Sequence, residues 1–147
     1  MIKINELRNG ILLHANGLHE GKLMTVSHFE YDYSLHADYK PIVFFAENKG
    51  AVGEYLKDCE GVLLTGDILL KIGFKSRNGS TERIKDYFIG TNPVTHDWLF
   101  SLVQIGDEPL FFKNSYHQIR YVHQLQNLYL ALTGEDLNVQ LSEPKVE

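Results

Sequence analysis

The stretch Tyr121–Leu137, YVHQLQNLYLALTGEDL, decides how the rest of the chain is read. Val122, Leu125, Leu128, Tyr129 and Leu132 recur at helical spacing and form a stripe wide enough to face a core. His123, Gln124, Gln126 and Asn127 fill much of the other side. Leu130 sits off the stripe and marks a second contact, within the fold or with a partner chain. The stop is well marked. Thr133-Gly134 ends the pattern, and a glycine just past a helix can take the left-handed conformation that closes it. Leu137 then follows as a contact back onto the last turn. The start is expected near Tyr121, with Ile119 and Tyr121 ending a strand. Ser115 and Gln118, at capping-box spacing, offer an earlier start near Tyr116.

Working outward, the 147 residues suit a single domain. A chain of that length buries enough surface for one real core. The tail after about 138 is expected to fray. The fold class expected is α+β: short antiparallel strands in hairpins, a short central helix, and the longer terminal helix packed on the sheet. The first thirty residues carry the first strand signals. Ile11–Leu13 is a short apolar run, Asn16-Gly17 is a hairpin signal, and Leu23–Phe29 alternates. They suggest a hairpin or the opening of a small barrel. Ile42–Ala46 reads as a strand and Asn48-Lys49-Gly50 as a turn. Gly53–Cys59 reads as a short helix or a loop-like insertion. Thr65 caps a short helix, Gly66–Ile72, ended by Gly73, with Ile68, Leu69 and Ile72 as its apolar face. Phe74–Arg77, Asn78-Gly79 and Arg83–Ile89 form a further hairpin. Asp97–Ile105 suits strand or helix. It is read here as one arm of a hairpin, Trp98–Ile105 with Leu110–Lys113, that feeds the terminal helix.

Composition narrows the function classes. Fourteen basic residues against nineteen acidic ones give a net charge of −5, which disfavours a nucleic-acid partner held by a general basic surface. One cysteine, Cys59, cannot form an internal disulfide, and a reducing cytoplasm is the expected location. The opening MIKINELRNG has charges and no apolar core, so no signal peptide is expected. No apolar run approaches the ~20 residues of a membrane helix, so no membrane partner is expected either.

Three segments together resemble a family of small phage- and prophage-associated proteins of Bacteroidota. INELRNG is close to that family's opening. VLLTGDILLKIGF is similar to its middle segment, and YVHQLQNLYLALTGEDL to its C-terminal signature. The likeness covers roughly a quarter of the chain, and the last segment is the specific one. Asn9-Gly10-Ile11 stands where the family more often has Ile-Gly-Asn, so a different local turn is expected there. The family has no assigned activity. The resemblance therefore implies a mobile-element context and a bacterial cytoplasm, and it supplies no catalytic residues.

The search for chemistry gives mostly structural readings. His19-Glu20 lacks the second histidine of a zincin helix. His14, His28 and His36 could assemble a metal site only from separated segments, and hydrogen-bonded histidines are the favoured reading. Cys59 has no base placed beside it and reads as a plain thiol. Phosphate-binding glycine loops are absent, and the Thr65-Gly66-Asp67 start reads as a capped helix rather than an anion site. Tyr31, Tyr33 and Tyr39 could stack bases, but Glu30, Asp32 and Asp38 beside them favour edge packing. His123, Gln124 and Asn127, neighbours on one helix face, are the candidate ligand or partner contacts. No cofactor, metal ligand or catalytic residue is assigned. The function expected is a non-enzymatic binding or accessory protein acting through protein contacts, with a protein partner or a second copy. The alternative is a small-ligand, nucleotide-type binder, and a hydrolase or metal enzyme ranks third.

Overall fold

The computed structural model describes residues 2–32, 40–78, 83–90, 99–112, 117–137, 139 and 141. They fall into two compact units, Met1–Val62 with Asn138–Glu147, and Leu63–Leu137. Each unit carries its own five-stranded antiparallel sheet.

The first sheet is built from β1 (Leu12–Ala15), β2 (Lys22–Asp32), β3 (Lys40–Phe45), β4 (Gly53–Tyr55) and β5 (Cys59–Gly61). Their order is β4-β3-β2-β1-β5. Met24 and Val26 on β2 and Val43 and Phe45 on β3 are buried, as alternation requires of a sheet with one dry face. Ile2, Leu7, Ile11, Leu13 and Leu56 complete that core. β2 is the long strand that joins the two halves of the sheet. Its first part pairs with β1, its second with β3, and the register shifts between Val26 and His28. A bulge there bends the strand and lets the sheet curl. The two outermost strands, β4 and β5, are joined only by the 3-10 turn Leu56–Asp58. Three residues span at most about 10 Å, so the opposite edges must approach each other. They do not pair, so the barrel-like alternative is corrected to a curled open sheet. With only three residues, β4 is too short to complete the ladder.

Two local expectations also change. The segment Gly53–Cys59 is neither helix nor insertion but contains β4, the 3-10 turn and the start of β5. The β1–β2 connection is not a two-residue Asn16-Gly17 turn. The chain reverses over residues 16–21, and the left-handed pair is Glu20 (φ 55°) and Gly21 (φ 84°), with Gly21 N donating to Ala15 O at 2.7 Å.

The second sheet is a meander of β6 (Lys75–Asn78), β7 (Ile84–Gly90), β8 (Leu99–Ile105), β9 (Phe111–Phe112) and β10 (His117–Gln118), preceded by α1 (Gly66–Lys71) and followed by α2 (Val122–Thr133). Residues 99–105 are strand, which settles that part of the Asp97–Ile105 ambiguity. Asp97, Trp98 and the Gly79 turn position lie outside the described residues. Thr65 caps α1 through its own hydroxyl, which accepts from Ile68 N at 3.2 Å. Of the expected α1 face only Leu69 is fully buried; Ile68 and Ile72 are half-buried. Gly66 has a steric reason: a Cβ there would lie 2.1 Å from the Tyr87 hydroxyl.

The terminal helix begins after Tyr121 and ends at Gly134, which adopts φ 74° and donates to Leu130 O at 2.9 Å. It packs on the sheet through Tyr129, whose ring lies 5.3 Å from that of Phe100 on β8. Its inner face is rotated from the expected stripe. Val122, Leu125, Gln126 and Tyr129 are buried, together with His123, whereas Leu132 is 43% exposed. The cause is polar bonding inside. Gln126 Nε2 donates to Leu137 O at 3.4 Å and ties down the segment that follows the cap. The His123 ring stacks on Tyr121 at 5.7 Å. Val139, in the stretch expected to fray, is buried. Among the described residues no helix is long and apolar enough to cross a membrane.

Candidate functional site

In the first unit the turn between β3 and β4 and the connection between β1 and β2 are held together by one buried carboxylate. Glu54, the middle residue of β4, is only 4% exposed and lies opposite Val43 on the core side of the sheet. Its Oε2 accepts from Gly17 N at 2.9 Å. Its Oε1 accepts from His19 N at 2.5 Å and from the His19 ring Nδ1 at 2.6 Å. Three N–H donors on one carboxylate offset the cost of burying it. The other ring nitrogen, Nε2, lies 3.1 Å from Asn48 Nδ2. Asn48 Nδ2 also donates to Val52 O at 2.9 Å, and Asn48 Oδ1 accepts from Gly50 N at 3.1 Å. The His19 ring packs edge-on against Phe45 at 5.2 Å. The sequence placed His19 beside Glu20; the fold pairs it with Glu54 instead.

This network backs a cleft of about 670 Å³. Alternation explains its surface. Ile42 and Phe44 flank the buried Val43 and so face outward, and their partners across the ladder, Tyr55 and Gly53, share that face. Gly53 lies in the cleft wall. A Cβ at that position would lie 2.7 Å from Val43 O and 2.8 Å from Ile42 Cγ2, so only glycine lets β4 approach β3 this closely at the cleft wall. Leu18 and Val52 close the sides and are 75% and 47% exposed. Both apolar side chains are open to water at the rim of the hollow. Phe44 is backed on the same face by His28, stacked on it at 4.7 Å.

The three residues singled out on the terminal helix lie in the second unit. His123 is buried. Gln124 turns back to the helix start, where its Oε1 accepts from Arg120 N at 2.9 Å and Tyr121 N at 3.2 Å, so it serves as a cap. Asn127 is half-buried and engaged within the fold. A second hollow in this unit, about 300 Å³, runs between Leu63, Thr65, Pro109 and Arg120. It has no buried charged group to organise it.

The remaining candidates resolve as follows. His14 Nδ1 lies 3.1 Å from Gly21 O and serves the β1–β2 connection. His36, Tyr33 and Tyr39 lie outside the described residues, as does the Tyr31 side chain. Among the described residues no group of three or more His, Cys, Asp or Glu is placed to hold a metal ion. Cys59 is buried with its Sγ 3.7 Å from Tyr55 O. Burial, then the charges of Glu54 and Asp58, push its thiol up to about 12, far from a reactive thiolate.

Sequence reasoning missed Glu54 because its partners are 35 and 37 residues away. The one usable signal was a carboxylate one residue past a glycine in an otherwise apolar and aromatic stretch. Comparison of the chain with protein-family models, with curated proteins and with solved structures finds no match.

Proposed function

We propose that this chain is a non-enzymatic binding protein that takes an apolar side chain of a protein partner into the cleft of its first unit. One observation carries the reading. The polar groups that organise the cleft, the Glu54 carboxylate and both His19 ring nitrogens, are already bonded to each other, to Asn48 and to backbone. What the cleft offers a visitor is mainly apolar surface, with Leu18 and Val52 open to water at the rim and Asp58 also in its lining. A small-ligand pocket sets convergent polar groups among its apolar walls to orient its guest. An apolar hollow with exposed apolar rims suits an anchor residue from another protein. The likeness of three segments to phage and prophage proteins supports a mobile-element context and a cytoplasmic location.

The test is selection of a displayed random peptide library on the full chain, with Leu18→Asp and Val52→Asp as controls. Both positions are exposed, so the variants should melt like the parent. The reading expects enriched peptides that share an apolar anchor and lose at least tenfold in affinity against either variant. Peptides that bind both variants unchanged would overturn it. A thermal upshift with nucleotides and no peptide enrichment would favour the small-ligand alternative.

A further inference from the structure

The basic residues of this acidic chain are concentrated around one hairpin. Lys71, Lys75, Arg77, Arg83 and Lys85 fall within residues 71–85, which hold one acid, Glu82, in a chain of net charge −5. Lys75 and Arg77 stand on β6, an outermost strand of the second sheet. β6 has four residues, all exposed, and is the longest of the outer strands; β4 and β5 have three each and β10 has two. It pairs with β7 along one side only. Alternation along that ladder turns the N–H and C=O of every second β6 residue away from β7. Those groups have no partner among the described residues. The register sets the faces. Ser76 lies opposite the buried Tyr87, so Ser76 and Asn78 share the core side. Lys75 and Arg77 share the other side, opposite Phe88 and Asp86. Arg77 is already held there. Its Nε donates to Asp86 Oδ2 at 3.4 Å, and its guanidinium lies over the Phe88 ring at 5.0 Å. Its two Nη groups and the Lys75 ammonium have no partner among the described residues.

We propose that β6 is a strand-addition site: an extended segment of a partner protein, with carboxylates at alternate positions, joins its open edge as a further strand. The backbone supplies affinity, because an added strand matches outward donors and acceptors together. The side chains supply selection. Lys75 and Arg77 lie about 7 Å apart along the strand, which is also the spacing of alternate residues on any partner strand. Carboxylates at two such positions meet both cations, and the Arg77 Nη pair takes its carboxylate as a fork. The Phe88 stack and the Asp86 bond restrain the guanidinium beforehand, so less freedom is lost when the carboxylate arrives. Other occupants fit less well. Basic residues on an edge guard against self-pairing, and a second β6 would set like charges against each other. A neutral strand leaves both cations without a partner. The phosphates of a nucleic acid satisfy cations and N–H groups but not the outward carbonyls. Its bases also find no free ring here, since Tyr87 is buried and Phe88 already carries the guanidinium. The site belongs to the second unit and stands independently of the cleft.

The experiment is titration of the nitrogen-labelled full chain with a blocked peptide, threonine-glutamate-threonine-glutamate-threonine, followed by amide shifts and hydrogen exchange. Shifts should centre on residues 75–78 and 85–88, with protection gained at alternate amides of β6. The same peptide with glutamine for glutamate should bind about tenfold or more weakly, the worth of one charge-assisted hydrogen bond. Two further versions, methylated on one or the other alternate set of amide nitrogens, keep the charge. The set that faces β6 should cost about tenfold or more, and the other set much less. Lys75→Glu, at an exposed position, should melt like the parent and weaken the glutamate peptide by about tenfold. One of the two peptides with a single glutamate replaced by lysine should recover that loss. Equal affinity for the two methylated peptides means charge attraction without strand addition and overturns the proposal. So does tighter binding of a thymidine oligonucleotide at the same residues, or a shift at β6 that grows with protein concentration alone. A glutamate peptide that leaves residues 75–78 unshifted at about 1 mM also overturns it.

Discussion

Replacing Glu54 with alanine should be among the most damaging single changes in the first unit. The carboxylate accepts three N–H bonds, from Gly17 N, His19 N and His19 Nδ1, and its side chain is 1% exposed. At about 1.5–3 kcal/mol for each bond to a charged group, the unrelaxed loss would be about 4.5–9 kcal/mol. The connection over residues 16–21 is largely exposed and can rehydrate its amides, and the His19 side chain is 14% exposed. Relaxation brings the expectation to about 3–5 kcal/mol, the range for removing one partner of a buried charged pair. Glu54→Gln should cost less, about 1–3 kcal/mol. Its oxygen can still serve two donors, but its amide nitrogen then opposes Gly17 N–H. Urea melts followed by circular dichroism give the magnitudes. Peptide-resolved hydrogen exchange should place the loss of protection at residues 16–19 and 48–54. A Glu54→Ala loss below ~1 kcal/mol, or Glu54→Gln as harmful as Glu54→Ala, would show that the carboxylate does not hold these segments together.

Leu125→Ala, at a position with no solvent exposure on the inner face of α2, should cost about 2–5 kcal/mol in denaturant melts. Leu132→Ala, at an exposed position of the same helix, should stay within about 0.5 kcal/mol, and the reverse ranking would reject the assigned face. Gly66→Ala should lose about 1–3 kcal/mol by overpacking against the Tyr87 hydroxyl, and Tyr87→Phe in the same chain should restore part of it. Native Cys59 should resist a thiol reagent at pH 8 and react fully in urea, since its ionisation is pushed up to about 12 from an ordinary 9.0. Between those pH values the unfolded chain gives up the thiol proton and the folded chain keeps it, so stability at this site falls as pH rises above about 9.

Local signals in the sequence carried local structure. Thr65 as a cap, Gly134 as a stop and the alternation along residues 23–29 each involve groups within a few residues of one another, and each has its place in the fold. The inner face of α2 was legible only in part. Hydropathy favoured Leu128 and Leu132 over Gln126, yet a buried acceptor, Leu137 O, sits where a glutamine amide can reach it. The candidate site was not legible at all. The Glu54–His19 contact depends on the curl of a sheet whose edge pairing, Leu13 with Gly61, spans most of the first unit. Binary pattern cannot report which distant turn a buried carboxylate will meet.

That edge pairing also bears on how the two units form. In the second sheet each strand lies beside its neighbour in sequence, so its ladder can zip from one hairpin to the next. In the first, β5 has no ladder until β1 is reached across 48 residues, Leu13 to Gly61. Closing a loop of that length costs on the order of 3 kcal/mol in chain entropy before the pairing contributes anything. Strands 1 to 4 can assemble as a meander first, and β5 comes last. Glu54 on β4 and its partners Gly17 and His19 between β1 and β2 all lie within that earlier meander, so the cleft takes shape before the last strand closes the sheet's other edge.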